Sequence, residues 1–162
     1  MKPGENTSPQ RKEPGKNQDA PAALTEDLRK LLLENGFDRV GFAAADTTPG
    51  TEEFSDWIDR GYSGNMDYLA RNAERRCDVG KVLEGTRSVI VMALHYGDER
   101  ALGIASPASD RAEIAAYARG TDYHRVIEKR LKNCSRLLKD TFGGEYRYYV
   151  DTGPVLEKAW AQ

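Results

Sequence analysis

Apolar residues along this chain follow two rhythms, a helical stripe and a short continuous run, and both begin only after a polar start. Leu24, Leu28, Leu31 and Leu32 fall at i, i+4, i+7 and i+8, one stripe of a helix, and Asn35-Gly36 is placed to end it through a left-handed glycine. Arg39 to Ala45 reads as a short, mostly apolar strand bounded by Asp46 and the Pro49-Gly50 turn. A second helix is expected from Thr51, whose hydroxyl would cap it, with Glu52 and Glu53 in the first turn and Phe54, Trp57 and Ile58 on the buried side. Beyond the Gly61 to Gly64 turn, Met66, Tyr68 and Leu69 suggest a further short helical segment. Ser88 to Leu94 is a continuous apolar run, the pattern of a strand covered on both faces and central in its sheet. Gly97 to Ala108 is small and polar, a loop. Asp122 to Asp140 predicts a helix with Val126, Leu131, Leu137 and Leu138 among its apolar positions, ended by Gly143-Gly144. Tyr146 to Val150 has the aromatic and β-branched content of a strand, and Asp151-Thr152-Gly153-Pro154 follows, with Pro154 placed to open a helix at its first turn. Alternation of this kind implies an α+β or α/β domain in which helices flank a central sheet, because each sheet face must be covered.

Composition changes the picture mainly at the N-terminus. Residues 1–21 are rich in Pro, Gly, Asn, Gln, Lys and Glu and bury too little apolar surface to offset the entropy of ordering, so they read as a disordered tail. That leaves 22–162 as one domain, in keeping with a total of 162 residues. No stretch approaches a bilayer span and the N-terminus lacks the apolar core of a signal peptide, which predicts a cytoplasmic protein without membrane attachment. Cys77 and Cys134 lack metal-ligand spacing, so neither a disulfide framework nor a metal site is expected. The net charge of −2 gives no general case for a nucleic-acid partner, but between Arg111 and Lys139 eight Lys or Arg face three Asp or Glu. That run is either a solvated helix face or a surface that meets phosphates.

Asp151 draws attention as candidate chemistry because it stands between the last expected strand and a helix, where sheet enzymes tend to place reactive groups. It is either a helix cap, which holds a carboxylate ionised, or a desolvated acid that keeps its proton near neutrality. Arg71, Arg75, Arg76 and Arg87 are either surface charge or a set of guanidinium forks for a phosphate- or carboxamide-bearing ligand. Tyr117-Ala118-Arg119-Gly120 leads into Asp122-Tyr123-His124, with Asp122 the expected cap; His124 reads as a packed or surface residue rather than a base.

Four segments resemble the epoxyqueuosine reductase family: Gly61 to Leu69; Arg76 to Leu83 leading into Arg87 to Val91; Tyr117 to His124; and Val150 to Lys158. The likeness runs from about Leu24 to Gln162. It implies a nitroreductase-like, cobalamin-binding domain of a cytoplasmic enzyme that reduces epoxyqueuosine to queuosine at the wobble position of tRNA, with electrons relayed through two [4Fe–4S] clusters. Carried onto this chain, it places the proton donor at Asp151, a cobalamin-contacting arginine at Arg76, a corrin-contacting stretch at Leu156, Glu157 and Lys158, and a further contact at Tyr117. Opening an epoxide builds alkoxide character, which a positioned acid relieves; the resemblance implies that burial beneath the corrin would keep Asp151 protonated. Family members continue into cysteine runs that ligate the clusters, and those cysteines are absent here, so the domain is expected to be incomplete at its C-terminus. Val79 stands where the family commonly has proline, and Trp160 where a smaller residue is usual. The alternatives are a non-catalytic cobalamin- or tRNA-binding module, or one half of a split reductase working with a separate iron–sulfur chain.

Overall fold

The structure, a computed structural model, describes residues 20–97, 115–118 and 120–162. Its sheet pairs β1 (Arg39–Ala44) with β2 (Ser88–Ala93) in antiparallel register, from Arg39 opposite Ala93 to Ala44 opposite Ser88. Val40 lies opposite Met92 and Phe42 opposite Ile90, and alternation along each strand turns these four to one face, where they join the core. That core is closed by α1 (Ala20–Glu34) and α5 (Tyr123–Phe142), which bury Leu32 from the first and Leu131, Cys134 and Leu138 from the second. The α5 residues recur at i, i+3 and i+7, the spacing that keeps side chains on one helical face. On the other sheet face Ala43, Val89 and Val91 are half-buried, so it too is covered.

Polar bonds fix the helices at their ends. Gly36, at φ +91°, turns the chain out of α1, and its carbonyl accepts a hydrogen bond from Arg130 of α5. Arg29 of α1 donates to the Val40 carbonyl and lies 5.1 Å over the Phe42 ring, tying helix to strand through both its charge and its stem. Asp122 caps α5, its carboxylate accepting the His124 backbone N–H at 3.0 Å, and Gly143, at φ +71°, ends it.

Between the strands the chain passes through three short helices, α2 (Thr51–Asp59), α3 (Asp67–Arg71) and α4 (Ala73–Cys77), none with a fully buried residue, and then a 3₁₀ turn that buries Val79. The last helix, α6 (Glu157–Trp160), packs against β2 and buries Trp160. The two family departures, Val79 and Trp160, are thus both packing positions.

Four expectations change. Thr51 does not cap α2: Gly50 takes the cap position at φ +73°, and the Thr51 hydroxyl donates to the Thr48 carbonyl at 2.8 Å. β2 is not central among the described residues, having β1 as its one strand partner; its continuous apolar run reports cover on both faces, which helices also supply. Tyr146 to Val150 forms no ladder, although Tyr146, Tyr148 and Val150 turn inward onto the core while Arg147 and Tyr149 turn out. Period two reports alternation of side chains; a strand also needs a neighbour to bond, and neither β1 nor β2 pairs with it. Pro154 opens no helix, since α6 starts at Glu157. Residues 1–19, the loop from 98 to 108, and Arg111 and Arg119 of the basic run lie outside the described residues.

Candidate active site

Asp151 sits at a tight turn that its neighbours impose. The Thr152 N–H reaches back to the Val150 carbonyl at 2.6 Å, and Asp151 is the one non-glycine at positive φ (+56°) among the described residues. This conformation costs an L-residue on the order of 1 kcal/mol, least for Asn and Asp, and such strain gathers at functional positions. Gly153 is required two residues later: a Cβ there would stand 2.3 Å from Cγ of Tyr149. The segment 149–153 is therefore folded back on itself, with the Asp151 carboxyl projecting from it.

What meets that carboxyl comes from the start of α5. Tyr123 donates its hydroxyl hydrogen to Asp151 Oδ2, and this bond, more than any other influence, pushes the Tyr123 pKa up to about 12. The His124 ring stacks on Tyr123 with centroids 4.1 Å apart, places Nε2 3.7 Å from Asp151 Oδ2, and sets Nδ1 2.9 Å from Asp122 Oδ1. Bonding to the His124 side chain and then to its backbone N–H holds the Asp122 carboxyl below its ordinary range. Asp151 is not a helix cap, because α6 begins six residues later and its cap position is Leu156. Nor is it buried within this chain, its side chain being 52% exposed.

On the opposite wall stands α4. Arg75 and Arg76 join Tyr68, Asn72, Asp151 and Thr152 around a cleft of about 480 Å³. Arg76 donates through Nη1 to the Val155 carbonyl at 3.2 Å, bridging α4 to the segment that leads into α6, while its Nε is buried without a partner among the described residues. A second hollow of about 310 Å³ is lined by Gly50, Phe54, Leu156, Glu157, Lys158 and Ala159. Glu157 Oε1 is also buried and unpartnered; burial first, and the Asp151 charge second, push the Glu157 carboxyl up. Three buried polar atoms lack a partner among the described residues, these two and Trp160 Nε1, although the Glu157 carboxyl also feels the Asp151 backbone N–H and the Arg76 charge; the Arg76 donor and Glu157 acceptor together suit a ligand bearing both acceptors and donors.

The fold therefore brings Asp151, Arg75 and Arg76 to one cleft and Leu156, Glu157 and Lys158 to the second. Tyr117 reaches the carboxyl only through Tyr123, to whose ring it stands edge-on at 6.0 Å, while contacting Tyr96 at 6.1 Å on its other side. Arg71 and Arg87 are exposed and do not line the cleft. Tyr123 and His124 are the partners that sequence reasoning missed: 28 residues separate Tyr123 from Asp151, and no spacing rule connects them. Leading away from the site, Arg125, Lys129, Lys132, Arg136 and Lys139 form an exposed stripe on α5 opposite its core face, and none enters an ion pair among the described residues. Cys134 lies in the core, where burial pushes its thiol up, and no cluster of His, Cys, Asp or Glu suited to a metal occurs among the described residues. No described helix is long and apolar enough to cross a membrane.

Residues 76–152, which span both Arg76 and Asp151, match the family described as "Epoxyqueuosine reductase QueG, DUF1730". The epoxyqueuosine reductase of Gloeobacter violaceus is 42% identical over 146 residues, covering 88% of this chain and 43% of that protein. That of Pseudomonas aeruginosa is 34% identical over 146 residues, covering 88% and 40%. The fold is shared with a crystal structure of an epoxyqueuosine reductase with a tRNA-Tyr epoxyqueuosine-modified stem loop (TM-score 0.67, 24% identity, 86% of this chain and 37% of that one). It is shared also with the enzyme from Streptococcus thermophilus (TM-score 0.60, 23% identity, 82% and 36%). The likeness to epoxyqueuosine reductases runs through nearly nine-tenths of this chain and spans about two-fifths of each relative's length.

Proposed function

We propose that this chain forms the cofactor- and substrate-facing N-terminal part of a cytoplasmic oxidoreductase that converts epoxyqueuosine to queuosine in tRNA, with Asp151 as the acid. The observation that carries this reading is the Asp151 carboxyl, held at a strained turn inside the family-matching segment and facing a cleft walled by Arg75 and Arg76. Arg76 and Glu157, each with a buried unpartnered polar atom, fit the carboxamide fringe of cobalamin, with Leu156 and Lys158 beside them and Tyr117 at the margin. When bound, cobalamin supplies a strongly reducing cobalt centre, fed in the full-length family through [4Fe–4S] clusters.

The chain's own residues then have defined tasks. Asp151 carries the proton that the epoxide oxygen takes as its bond to carbon breaks. Tyr123 orients that carboxyl: it donates to the ionised form, and its oxygen accepts once Asp151 is protonated. Arg75 and Arg76 hold the ligand by directional hydrogen bonds. The unpaired cation stripe on α5 begins one residue beyond His124 and supports a path for the tRNA backbone to the cleft; such contacts set affinity and register rather than read the base.

Two substitutions test this reading. In the full-length enzyme Asp151→Asn should reduce queuosine formation by at least about a hundredfold, the scale of general-acid catalysis, with the cobalamin absorbance spectrum unchanged. Arg76→Ala should instead weaken cobalamin retention by this chain. Full turnover in the first variant removes Asp151 from the chemistry, and unchanged retention in the second removes Arg76 from the cofactor site.

A further inference from the structure

The chemistry proposed above uses one proton from Asp151 and leaves the carboxylate to be reloaded. Tyr123, which bonds it, is a poor source, since its hydrogen is held with a pKa near 12. The other group at hand is the His124 imidazole, the side-chain type that exchanges protons near neutrality. Three contacts fix it. Its Nδ1 faces the Asp122 carboxylate at 2.9 Å, which assigns the hydrogen to that nitrogen. Its plane lies on the Tyr123 ring with 28° between them, and its Nε2 is turned to Asp151 Oδ2 at 3.7 Å, less than an ångström beyond a hydrogen bond. Asp122 is itself immobilised, because the same oxygen accepts the His124 backbone N–H as the cap of α5. A helix start thus serves as the mount for an imidazole between two half-exposed carboxylates, the second of which faces the cleft.

We infer that His124 is a positioning residue that reloads Asp151: the imidazolium passes its Nε2 hydrogen to the Asp151 carboxylate, giving the neutral acid and a neutral imidazole, which takes a proton from solvent. No other atom or electron moves. Asp122 holds the ring in the tautomer whose Nε2 faces the cleft. The groups facing the ring are Asp122 from its own helix start, Tyr123 stacked on it, Tyr117 behind Tyr123, and Asp151 from the segment after residue 150.

The inference rests on Asp151 being the acid, and its test separates the two. In this chain, ring-nitrogen NMR of its two histidines, His95 and His124, should show His124 locked with hydrogen on Nδ1, while His95 serves as the internal control. Asp151→Asn should change the His124 Nε2 shift and leave the His95 ring nitrogens unmoved; Asp122→Asn should release the tautomer. In the full-length enzyme His124→Gln should cut kcat about tenfold or more, leave KM and the cobalamin spectrum in place, and abolish the alkaline limb of the rate profile. An unmoved His124 Nε2 shift in Asp151→Asn, or an alkaline limb retained in His124→Gln, overturns the relay. Loss of turnover in Asp151→Asn alongside either result leaves the acid standing without it.

Discussion

The two faces that α5 serves differ in what they satisfy. On its apolar side, Leu131, Cys134 and Leu138 meet Leu32, Phe37 and Val40 in a cluster where every member is buried and apolar. At its N-terminal end, Tyr123 and His124 meet a half-exposed acid at positive φ, with unpartnered Arg76 and Glu157 atoms nearby. The first region is built for stability and the second holds strain and unmet bonds. Sites arranged for ligands often carry such costs, while the surrounding core supplies the stability.

Substitutions can break or sharpen this contrast. The largest loss is expected in the core: Leu131→Ala should destabilise by about 2–5 kcal/mol in urea unfolding, through lost transfer energy and a residual cavity. A loss below about 1 kcal/mol would show the core to be looser than its burial implies. Next comes Gly153→Ala, expected to cost about 1–3 kcal/mol, because the new methyl drives into the Tyr149 ring and must push the turn that carries Asp151. Cobalamin retention should fall with it, whereas Leu131→Ala should spare retention in the fraction that remains folded. The smallest effect has the opposite sign. Glu157 has a folded pKa raised above its unfolded value, so its contribution is fully present below the unfolded pKa and is lost as pH rises through the folded one. Glu157→Gln should therefore stabilise the chain at neutral pH and gain little in acid, as thermal melts across pH 4–8 would show; equal gains at both ends would refute burial as the cause.

Much of the core layer was legible from apolar spacing. The α1 stripe, of which Leu28, Leu31 and Leu32 join the core while Leu24 stays exposed, the α5 stripe with its Asp122 cap and Gly143 end, and both paired strands follow from periodicities that any helix or strand must obey. The errors occurred where pattern and bonding part company. Tyr146 to Val150 alternates as a strand does, yet alternation reports which side chains turn inward, not whether another backbone lies alongside. Thr51 and Pro154 are good helix-start residues displaced by stronger local demands, the left-handed Gly50 in one case and the folded-back turn at Asp151 in the other.

Of the candidate site, the sequence supplied the one-dimensional parts: Asp151 between two elements, the arginines of α4, and the family segments that join them. Only the tertiary structure brought Arg76 to the Val155 carbonyl 79 residues away, Tyr123 to Asp151, and His124 between Asp122 and Asp151. Periodicity acts over a few residues of backbone, so it could assign α5 its buried face and its cap. Which carboxyl stands at the end of that helix depends on how the whole core packs, and no local pattern encodes that distance.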